Sequence, residues 1–125
     1  MAIIQLKLEG AIPPKKNSRQ LFVRGGKPCS VPNQKYRNWN KGSILELKSQ
    51  FDRDIINCCR SIDITITFPD YRRRDLTNLA ESIMDTLVDA EIIKDDCWSI
   101  TGTVFLVPEY KKDVYKTKII IRTKE

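Results

Sequence analysis

Two short charged segments of this chain carry residue types that could do chemistry together. The first has three consecutive arginines followed by Asp75 and Asn78, and the second ends in Asp95 and Asp96. Arginine side chains bind phosphate groups, and carboxylate oxygens bind Mg²⁺, which activates water for attack on a phosphodiester. The two segments therefore favour a metal-dependent enzyme that holds and cuts a nucleic acid.

The overall charge agrees with a phosphate-rich partner. The chain has 125 residues, with 22 Lys and Arg against 16 Asp and Glu, and a formal net charge of +6. The same charge would also fit an ordinary basic protein. The chain has no histidine, which removes the commonest general base and a frequent zinc ligand. Any hydrolysis must therefore depend on carboxylates, lysine or a metal-bound water.

The length, the cysteines and the hydropathy narrow the class of protein further. A chain of this length suits one domain over residues 1–125. Cys58 and Cys59 are adjacent, and the other two cysteines stand alone, so the chain has no C-x-x-C half-site for zinc. We therefore expect the cysteines to be reduced, structural thiols. No apolar run approaches the roughly 18 residues of a membrane span, and a secretory signal is lacking. We therefore expect a cytoplasmic protein without a membrane partner.

In the first half of the chain, hydrophobic patterns predict a strand, an arm and a helix. Ile4, Leu6 and Leu8 alternate with polar residues, which predicts a half-buried strand. A basic loop follows, and a short apolar run at residues 21–23 before two glycines indicates a hairpin-like arm. Apolar residues at helical spacing then predict a first helix, from about residue 33 to residue 58.

The second half alternates strands with a helix. Residues 62–68 alternate strictly and predict a strand that Pro69 stops. Steps of three and four predict a second helix over residues 78–89, and residues 102–107 and 114–123 read as two strands joined by a turn. The predicted fold is α+β, a single domain with a mixed sheet covered by two helices in the order ββαβαββ.

This arrangement places the two acidic segments on either side of the second helix. Asp75 and Asn78 fall between a strand and that helix, where polar groups often converge on ligands. Asp96 lies in the loop that leaves the helix, so this loop must fold back for the two aspartates to meet. The alternative is structural: Asp75 or Asn78 caps the helix, and Asp95 with Asp96 forms a solvated turn.

Several stretches together resemble a known family. The core signature of the RusA-type Holliday junction resolvases is similar to RDLTN at residues 74–78, MDTL at 84–87 and IIKDD at 92–96. Upstream, PPKKN at residues 13–17 resembles the basic N-terminal loop of that family, and Tyr36 with Trp39 resembles an aromatic pair that follows it. The resemblance covers most of the chain.

The resemblance implies an activity and an assembly. These resolvases are small, homodimeric, Mg²⁺-dependent endonucleases of bacteria and phages, which nick four-way DNA junctions symmetrically. By this likeness we expect branched DNA as substrate, a twofold homodimer, and Mg²⁺ as cofactor, with Mn²⁺ as the other candidate. The protein would act in the cytoplasm of a bacterial or phage-infected cell, with Asp75 and Asp96 as catalytic, metal-binding acids.

The chain departs from the family pattern at two positions. The family typically has an aspartate where this chain has Thr77 and a lysine where it has Glu81. A hydroxyl is a weaker ligand for a hard cation than a carboxylate. Glu81 lies one helical turn after Thr77 and could supply the missing catalytic carboxylate to the metal. It could equally complete a capping box with Asn78 as the cap.

The predicted DNA contacts are basic and polar residues in loops, which would hold the sugar-phosphate backbone without reading bases. They are Lys15, Lys16, Asn17, Arg19, Arg72, Arg73, Arg74 and Lys94. The family's lysine would place a positive charge near the phosphate that is cut, and Glu81 cannot. Arg73, Arg74 or Lys94 could supply that positive charge. Asp85 is expected on the helix face.

The two tryptophans and the changed residues leave further alternatives. Trp39 could stack on an exposed base or belong to the core, and Trp98 is predicted to pack and position the loop of Asp96.

Two other functions remain open, a junction-binding protein with weakened catalysis and a protein-interaction domain on the same fold. Thr77 and Glu81 motivate the first of these.

Overall fold

A four-stranded mixed sheet forms the centre of the structure. This computed structural model describes residues 1–14, 19–32 and 34–124, with backbone alone for residues 19–24 and 27–32. In chain order the elements are β1 (Ile3–Glu9), β2 (Arg19–Arg24), β3 (Lys27–Pro32), α1 (Gln34–Gln50), β4 (Cys59–Phe68), α2 (Leu76–Asp89), α3 (Trp98–Thr101), β5 (Thr103–Tyr110) and β6 (Lys116–Thr123). The strands β2 and β3 form a separate antiparallel hairpin.

The strand order of the central sheet is β1-β6-β4-β5. β6 is antiparallel to both of its neighbours, whereas β5 runs parallel to β4. Leu6 lies opposite Ile119 in β6, and Ile64 of β4 lies between Ile119 and Leu106. Because side chains of one strand alternate between faces, this register brings apolar residues of all four strands to the same face.

Helices α1 and α2 cover that apolar face. Leu47 of α1 and the α2 residues Ile83 and Leu87 are fully buried against the fully buried strand residues Leu6 and Ile64. Each such side chain contributes about 1.5–3 kcal/mol of burial free energy. The apolar residues that recur at steps of three and four in α2 thus form the helix surface that packs on the sheet and fixes the position of α2.

The fold class predicted from the sequence is confirmed, an α+β fold with a mixed sheet, two covering helices and the order ββαβαββ. The structure adds the return strand β3 of the hairpin and the short helix α3. Among the described residues, no helix is long and apolar enough to cross a membrane. The cysteines with described side chains, Cys58, Cys59 and Cys97, are free thiols.

The predicted extent of α1 is wrong at its C-terminal end. The helix ends at Gln50 rather than near residue 58. The Ile56 N–H donates to the Ile92 carbonyl at 2.9 Å, and the Lys94 N–H donates to the Ile56 carbonyl at 3.0 Å. These long-range backbone bonds hold residues 55–57 beside the segment that follows α2, so tertiary pairing replaces the helical turn that the periodicity suggested.

The last two strands also differ from the expected arrangement. β5 continues to Tyr110, into the first part of the predicted turn at residues 108–113, and it pairs with β4. β6 instead lies between β1 and β4. The connection from β5 to β6 therefore crosses past β4, and β5 becomes an edge strand of the sheet.

The two edges of the sheet are finished differently. At the β1 edge, Gln50 of α1 accepts from the Lys7 N–H and donates to the Lys7 carbonyl, both at 2.8 Å, and Glu46 accepts from the Glu9 N–H at 3.2 Å. At the β5 edge, apolar side chains such as Phe105, 51% exposed, lie open. Native proteins usually protect the edge strands of a sheet. Among the described residues, side chains of α1 protect the β1 edge in this way, and the β5 edge has no such cover.

Gly102 allows a close approach between the start of β5 and β4, and this generates a stability prediction. Gly102 has φ 64°, and a Cβ atom there would lie 2.4 Å from the Arg60 carbonyl oxygen. Gly102→Ala should therefore lower the free energy of unfolding, measured by urea denaturation, by about 3 kcal/mol. As a control, Gly42→Ala within α1 meets no atom within 4 Å and should stabilise by about 1 kcal/mol. Equal stability of the two variants would contradict this account.

Candidate functional site

Asp75 lies at the junction between β4 and α2 and caps the helix. Its Oδ1 atom accepts from the Thr77 N–H at 3.2 Å, from the Thr77 hydroxyl at 2.8 Å and from the Asn78 N–H at 3.4 Å. The capping alternative for Asp75 is therefore what the structure shows. A carboxylate has two oxygens and about four lone-pair sites, so capping and cation binding are compatible.

The capping box proposed for Asn78 and Glu81 is wrong. The helix begins at Leu76 with Asp75 as its N-cap, so Asn78 is the third helical residue and Glu81 lies beyond the first turn. Glu81 is exposed on the helix surface, one turn after Thr77. The structure thus removes the competing structural role that the sequence suggested for Glu81.

A cleft of about 350 Å³ lies beside Asp75. It is lined by residues of the N-terminal segment, the arginine run, the start of α2 and the segment before β6, namely Ala11, Ile12, Pro14, Arg72, Arg73, Arg74, Asp75, Leu79 and Tyr115. The buried hydroxyl of Ser82 donates to the Pro13 carbonyl at 2.9 Å and ties the N-terminal segment to α2. Pro14, the residue just before the predicted basic loop, lines this cleft.

The predicted basic loop itself lies outside the residues that the structure describes. This applies to Lys15, Lys16 and Asn17. Arg19 is described only by its backbone, as the first residue of β2. Their predicted contacts with DNA therefore stay predictions.

The three arginines have different surroundings. Arg74 pairs with Asp70 at 2.8 Å and lies over the rings of Phe68, at 5.1 Å, and Tyr115, at 5.2 Å. Its hydrogen bond is the main cause that lowers the pKa of Asp70. Arg74 thus secures the loop through an ion pair and cation–π contacts. Arg72 and Arg73 are exposed, which leaves them better placed to meet a phosphate.

Asp96 lies beyond the other end of α2. The Asp95 carboxylate accepts from the Asp96 N–H at 2.8 Å, and the adjacent Lys94 is exposed. Desolvation raises the pKa of Asp96, and the neighbouring carboxylates of Asp95 and Asp85 raise it further. This end of the helix therefore concentrates negative charge that a bound cation would relieve.

A single chain does not bring Asp75 and Asp96 together. The 14 residues of α2 span about 21 Å, and even Asp85, the α2 residue that acts on Asp96, is about 15 Å along the helix from Asp75. Ligands of one Mg²⁺ each lie about 2.1 Å from the ion, so these acids are too far apart to share one. Within the described part of the chain, no group of three or more metal-ligating residues is assembled.

The aromatic residues differ from expectation in one case. Trp39 packs against the core and lies 5.9 Å from the Tyr36 ring, which supports the core alternative. Trp98 is 85% exposed, so the prediction that it packs is wrong. It begins the short helix α3, in which Thr101 is the buried residue.

One surface feature was missed in the sequence. Tyr71 stacks on Tyr110 with ring centroids 4.4 Å apart, and both tyrosines line a second cleft of about 300 Å³ at the end of β5. The apolar run from Val104 to Val107 is also exposed in large part. Four consecutive apolar residues are typical of a strand covered on both faces, and that signal was available.

Comparison with known proteins decides the family. The family model described as Endodeoxyribonuclease RusA matches residues 11–122. The chain belongs to this family. The Crossover junction endodeoxyribonuclease RusA of Aquifex aeolicus is 36% identical to it over 85 residues, which cover 68% of this chain and 66% of that relative. The match thus spans slightly less than two thirds of the relative's length. The arginine run and both acidic segments of this RusA-family chain lie within residues 11–122.

The capping geometry of Asp75 generates a prediction about stability. Asp75→Ala removes an acceptor for the backbone N–H groups of Thr77 and Asn78 and should lower the free energy of unfolding by about 1 kcal/mol. Asp75→Asn keeps an acceptor oxygen and should stay within a few tenths of a kcal/mol of the wild type. Urea denaturation of the three proteins measures both changes. If Asp75→Ala proved as stable as Asp75→Asn, the cap would be energetically irrelevant.

Proposed function

We propose that this protein is a metal-dependent, structure-selective DNA endonuclease that resolves four-way Holliday junctions. The observation that carries the proposal is the cleft in which Asp75 lies beside the arginine run and the base of the N-terminal loop. Membership of the endodeoxyribonuclease RusA family supports it. A carboxylate next to several cations suits phosphodiester hydrolysis, since the carboxylate can bind a metal ion and the cations hold the polyanion.

The proposed DNA contacts include the exposed arginines of this cleft. Arg72 and Arg73 line this cleft and are exposed. We also assign DNA contacts to Lys15, Lys16, Asn17 and Arg19, whose side chains lie outside the described part of the chain. Lys94 is exposed beside Asp96. These residues contact phosphates and orient the junction without reading its sequence. Arg74 holds the arginine run in place through its contacts with Asp70, Phe68 and Tyr115.

The proposed cofactor is Mg²⁺, with Mn²⁺ as a substitute. The proposed donors, Asp75, Asp96 and Glu81, are all carboxylates, which are the ligands of hard divalent cations. When bound, such a cation neutralises charge on the phosphate and activates water. The donor chemistry fits Mg²⁺, but the arrangement of Asp75 and Asp96 in one chain does not.

The proposed assembly is a homodimer with twofold symmetry. A four-way junction has two equivalent strands to cut, and two active sites related by a twofold axis can nick them symmetrically. A nuclease that acts on DNA fits the cytoplasm of a bacterial or phage-infected cell, where we place this activity, with no membrane partner.

A second candidate is a junction-binding protein with weakened catalysis. Thr77 favours it, because this residue holds Asp75 through its hydroxyl, at 2.8 Å, and contributes no carboxylate of its own. A protein-interaction domain on the same fold is the third candidate, and it predicts little affinity for DNA. Incubating the protein with a synthetic four-way junction and either Mg²⁺ or Mn²⁺ separates all three: cleavage, binding without cleavage, or neither.

The first prediction of this proposal concerns the two aspartates. Asp75→Asn and Asp96→Asn should each reduce junction cleavage by at least about 100-fold, because a lost carboxylate removes a cation ligand. Binding of the junction should persist or tighten, since repulsion between carboxylate and phosphate is also removed. Gel-shift and cleavage assays on the same preparations measure both effects.

A matched control separates this effect from a general change of charge. Asp52→Asn alters an exposed aspartate in the loop after α1 and should cleave at the wild-type rate. Wild-type rates in the Asp75 or Asp96 variant would exclude that residue from the metal site.

A second prediction tests the exchange of carboxylates between positions 77 and 81. If Glu81 replaces the missing acid, Glu81→Gln should reduce cleavage strongly, and adding Thr77→Asp should restore part of it. The exposed position of Glu81 means that stability should change by less than about 0.5 kcal/mol. Cleavage rates of the single and double variants decide the question, and a fully active Glu81→Gln enzyme would refute the exchange.

A further inference from the structure

A stacked pair of tyrosines lies near the arginine-lined cleft, and the proposed cutting chemistry does not use it. The rings of Tyr71 and Tyr110 have centroids 4.4 Å apart and an interplanar angle of 23°. Tyr71 is 83% exposed and Tyr110 is 48% exposed. Because one face of the Tyr71 ring lies against Tyr110, most of its exposed area belongs to the opposite face and the edges. These two residues are called the tyrosine platform below.

The backbone fixes one half of the tyrosine platform. Phe68, the last residue of β4, lies opposite Tyr110 of β5. The Lys111 N–H donates to the Phe68 carbonyl at 3.1 Å, which continues the pairing beyond the last residue of β5. Tyr110 is therefore held at the point where the chain leaves β4, and Tyr71 follows that point by three residues.

Asp70 fixes the other half. Its Oδ1 atom accepts from the Arg72 N–H at 3.0 Å and from the Arg74 guanidinium at 2.8 Å. Arg74 in turn lies over the Phe68 ring at 5.1 Å. The backbone on both sides of Tyr71 is thus restrained, so its ring needs little further ordering when a planar group stacks on it, and preorganised contacts of this kind favour binding.

The tyrosine platform adjoins the Asp75 cleft. Arg72 and Arg74 line both that cleft and the cleft of about 300 Å³ that contains the two tyrosines. Tyr71 precedes Asp75 by four positions, so their Cα atoms are at most about 14 Å apart. One DNA strand advances about 3.4 Å per nucleotide, so this distance corresponds to about four nucleotides at most. A strand held at Asp75 therefore lies within reach of Tyr71.

The chemistry of this surface fits a nucleobase. An aromatic ring stacks on any base, because every base has a flat π face. The side chain of Arg72 is 84% exposed beside it, and a guanidinium binds phosphate. Bases within a duplex arm are paired and stacked on their neighbours, which hides their faces. A base leaves the stack at lower cost where pairing is already interrupted, as it is where strands exchange at a branch point.

We propose that the tyrosine platform stacks on a nucleobase that is unstacked at the branch point of the DNA, while Arg72 binds a neighbouring phosphate. The inference rests on the proposed function, since it takes branched DNA as the substrate. Phosphates are present in branched and linear DNA alike, so phosphate contacts position the protein without distinguishing the two. Tyr71 is therefore a specificity-determining residue that favours branched over linear DNA.

The first experiment maps the contact directly. Four-way junctions carry iodouracil, a photoreactive thymine analogue that crosslinks to aromatic side chains lying against it, at one branch-point position at a time. Complexes with the wild-type protein are formed without divalent metal, irradiated and analysed by mass spectrometry. We expect Tyr71 to be crosslinked by at least one branch-point base and by no base within a duplex arm. A crosslink confined to other residues, or none in a complex that gel shift shows to be formed, would overturn the proposal.

The second experiment measures affinity at one fixed salt concentration. Tyr71→Ala should weaken junction binding by about tenfold, within the range that alanine substitution of a base-stacking aromatic residue gives. Tyr71→Phe keeps the ring and should bind within about twofold of the wild type. Neither change should alter the affinity for a linear duplex of the same sequence. Equal loss for branched and linear DNA, or no loss for either, would contradict a role in selecting the branch point.

A matched control alters an exposed apolar residue far from the arginine run in the chain. Leu45 of α1 is 72% exposed, and Leu45→Ala should leave the affinity for both DNA forms unchanged. Light scattering of all variants tests the other occupant of an exposed aromatic surface, a protein chain. If Tyr71→Ala changed the state of association and left the preference for branched DNA intact, the tyrosine platform would be a protein contact and the proposal would fail.

A thermodynamic cycle separates stacking from every other effect of the substitution. The base that crosslinks to Tyr71 is removed to leave an abasic sugar, and wild-type and Tyr71→Ala proteins are compared on the intact and abasic junctions. Stacking predicts that base removal weakens wild-type binding about as much as Tyr71→Ala does, and that the substitution has no further effect on the abasic junction. Independent, additive losses would overturn the stacking contact.

Failure of the nuclease proposal would look different. A protein that cuts no junction with Mg²⁺ or Mn²⁺, yet crosslinks through Tyr71 and shows the coupled losses, would refute the nuclease and support the base contact. A protein that cuts junctions while its Tyr71→Ala variant binds them with wild-type affinity would refute the base contact alone. A protein that binds neither DNA form would refute both.

Discussion

The packing of α2 against the sheet is the constraint on which the arrangement of the candidate site depends. Ile83 and Leu87 are fully buried, and the Asp75 cap fixes where the helix starts. The helix is therefore a rigid spacer of about 21 Å between the two acidic segments. Breaking this packing would cost several kcal/mol of burial free energy.

This constraint separates two roles that the sequence alone leaves joined. Asp75 stabilises α2 as its cap and also faces the arginine-lined cleft, so one carboxylate serves folding and the proposed chemistry. Thr77 binds the same oxygen atom, Oδ1, through its hydroxyl and its N–H. A residue held this firmly is well placed for chemistry, because a preorganised ligand needs no reorganisation when charge develops nearby.

Most of the fold could be predicted from local patterns. The alternation of residues 62–68 and the steps of three and four in α2 report directly on burial, since each period matches one geometry. The end of α1 could not be found in this way, because the bonds from Ile56 to Ile92 and Lys94 join segments far apart in the chain. The placement of β5 as an edge strand has the same origin, since pairing partners are not encoded in the period of a single strand.

The same contrast between local patterns and long-range arrangement applies to the candidate site. The residue types at 72–78 and 95–96 predicted the chemistry, and the strand-to-helix position of Asp75 was foreseen. Their separation was not, because it is set by the length and direction of α2 relative to β4. The apolar run of β5 offered a further signal: a strand that is apolar on both faces but lies at an edge calls for a covering partner.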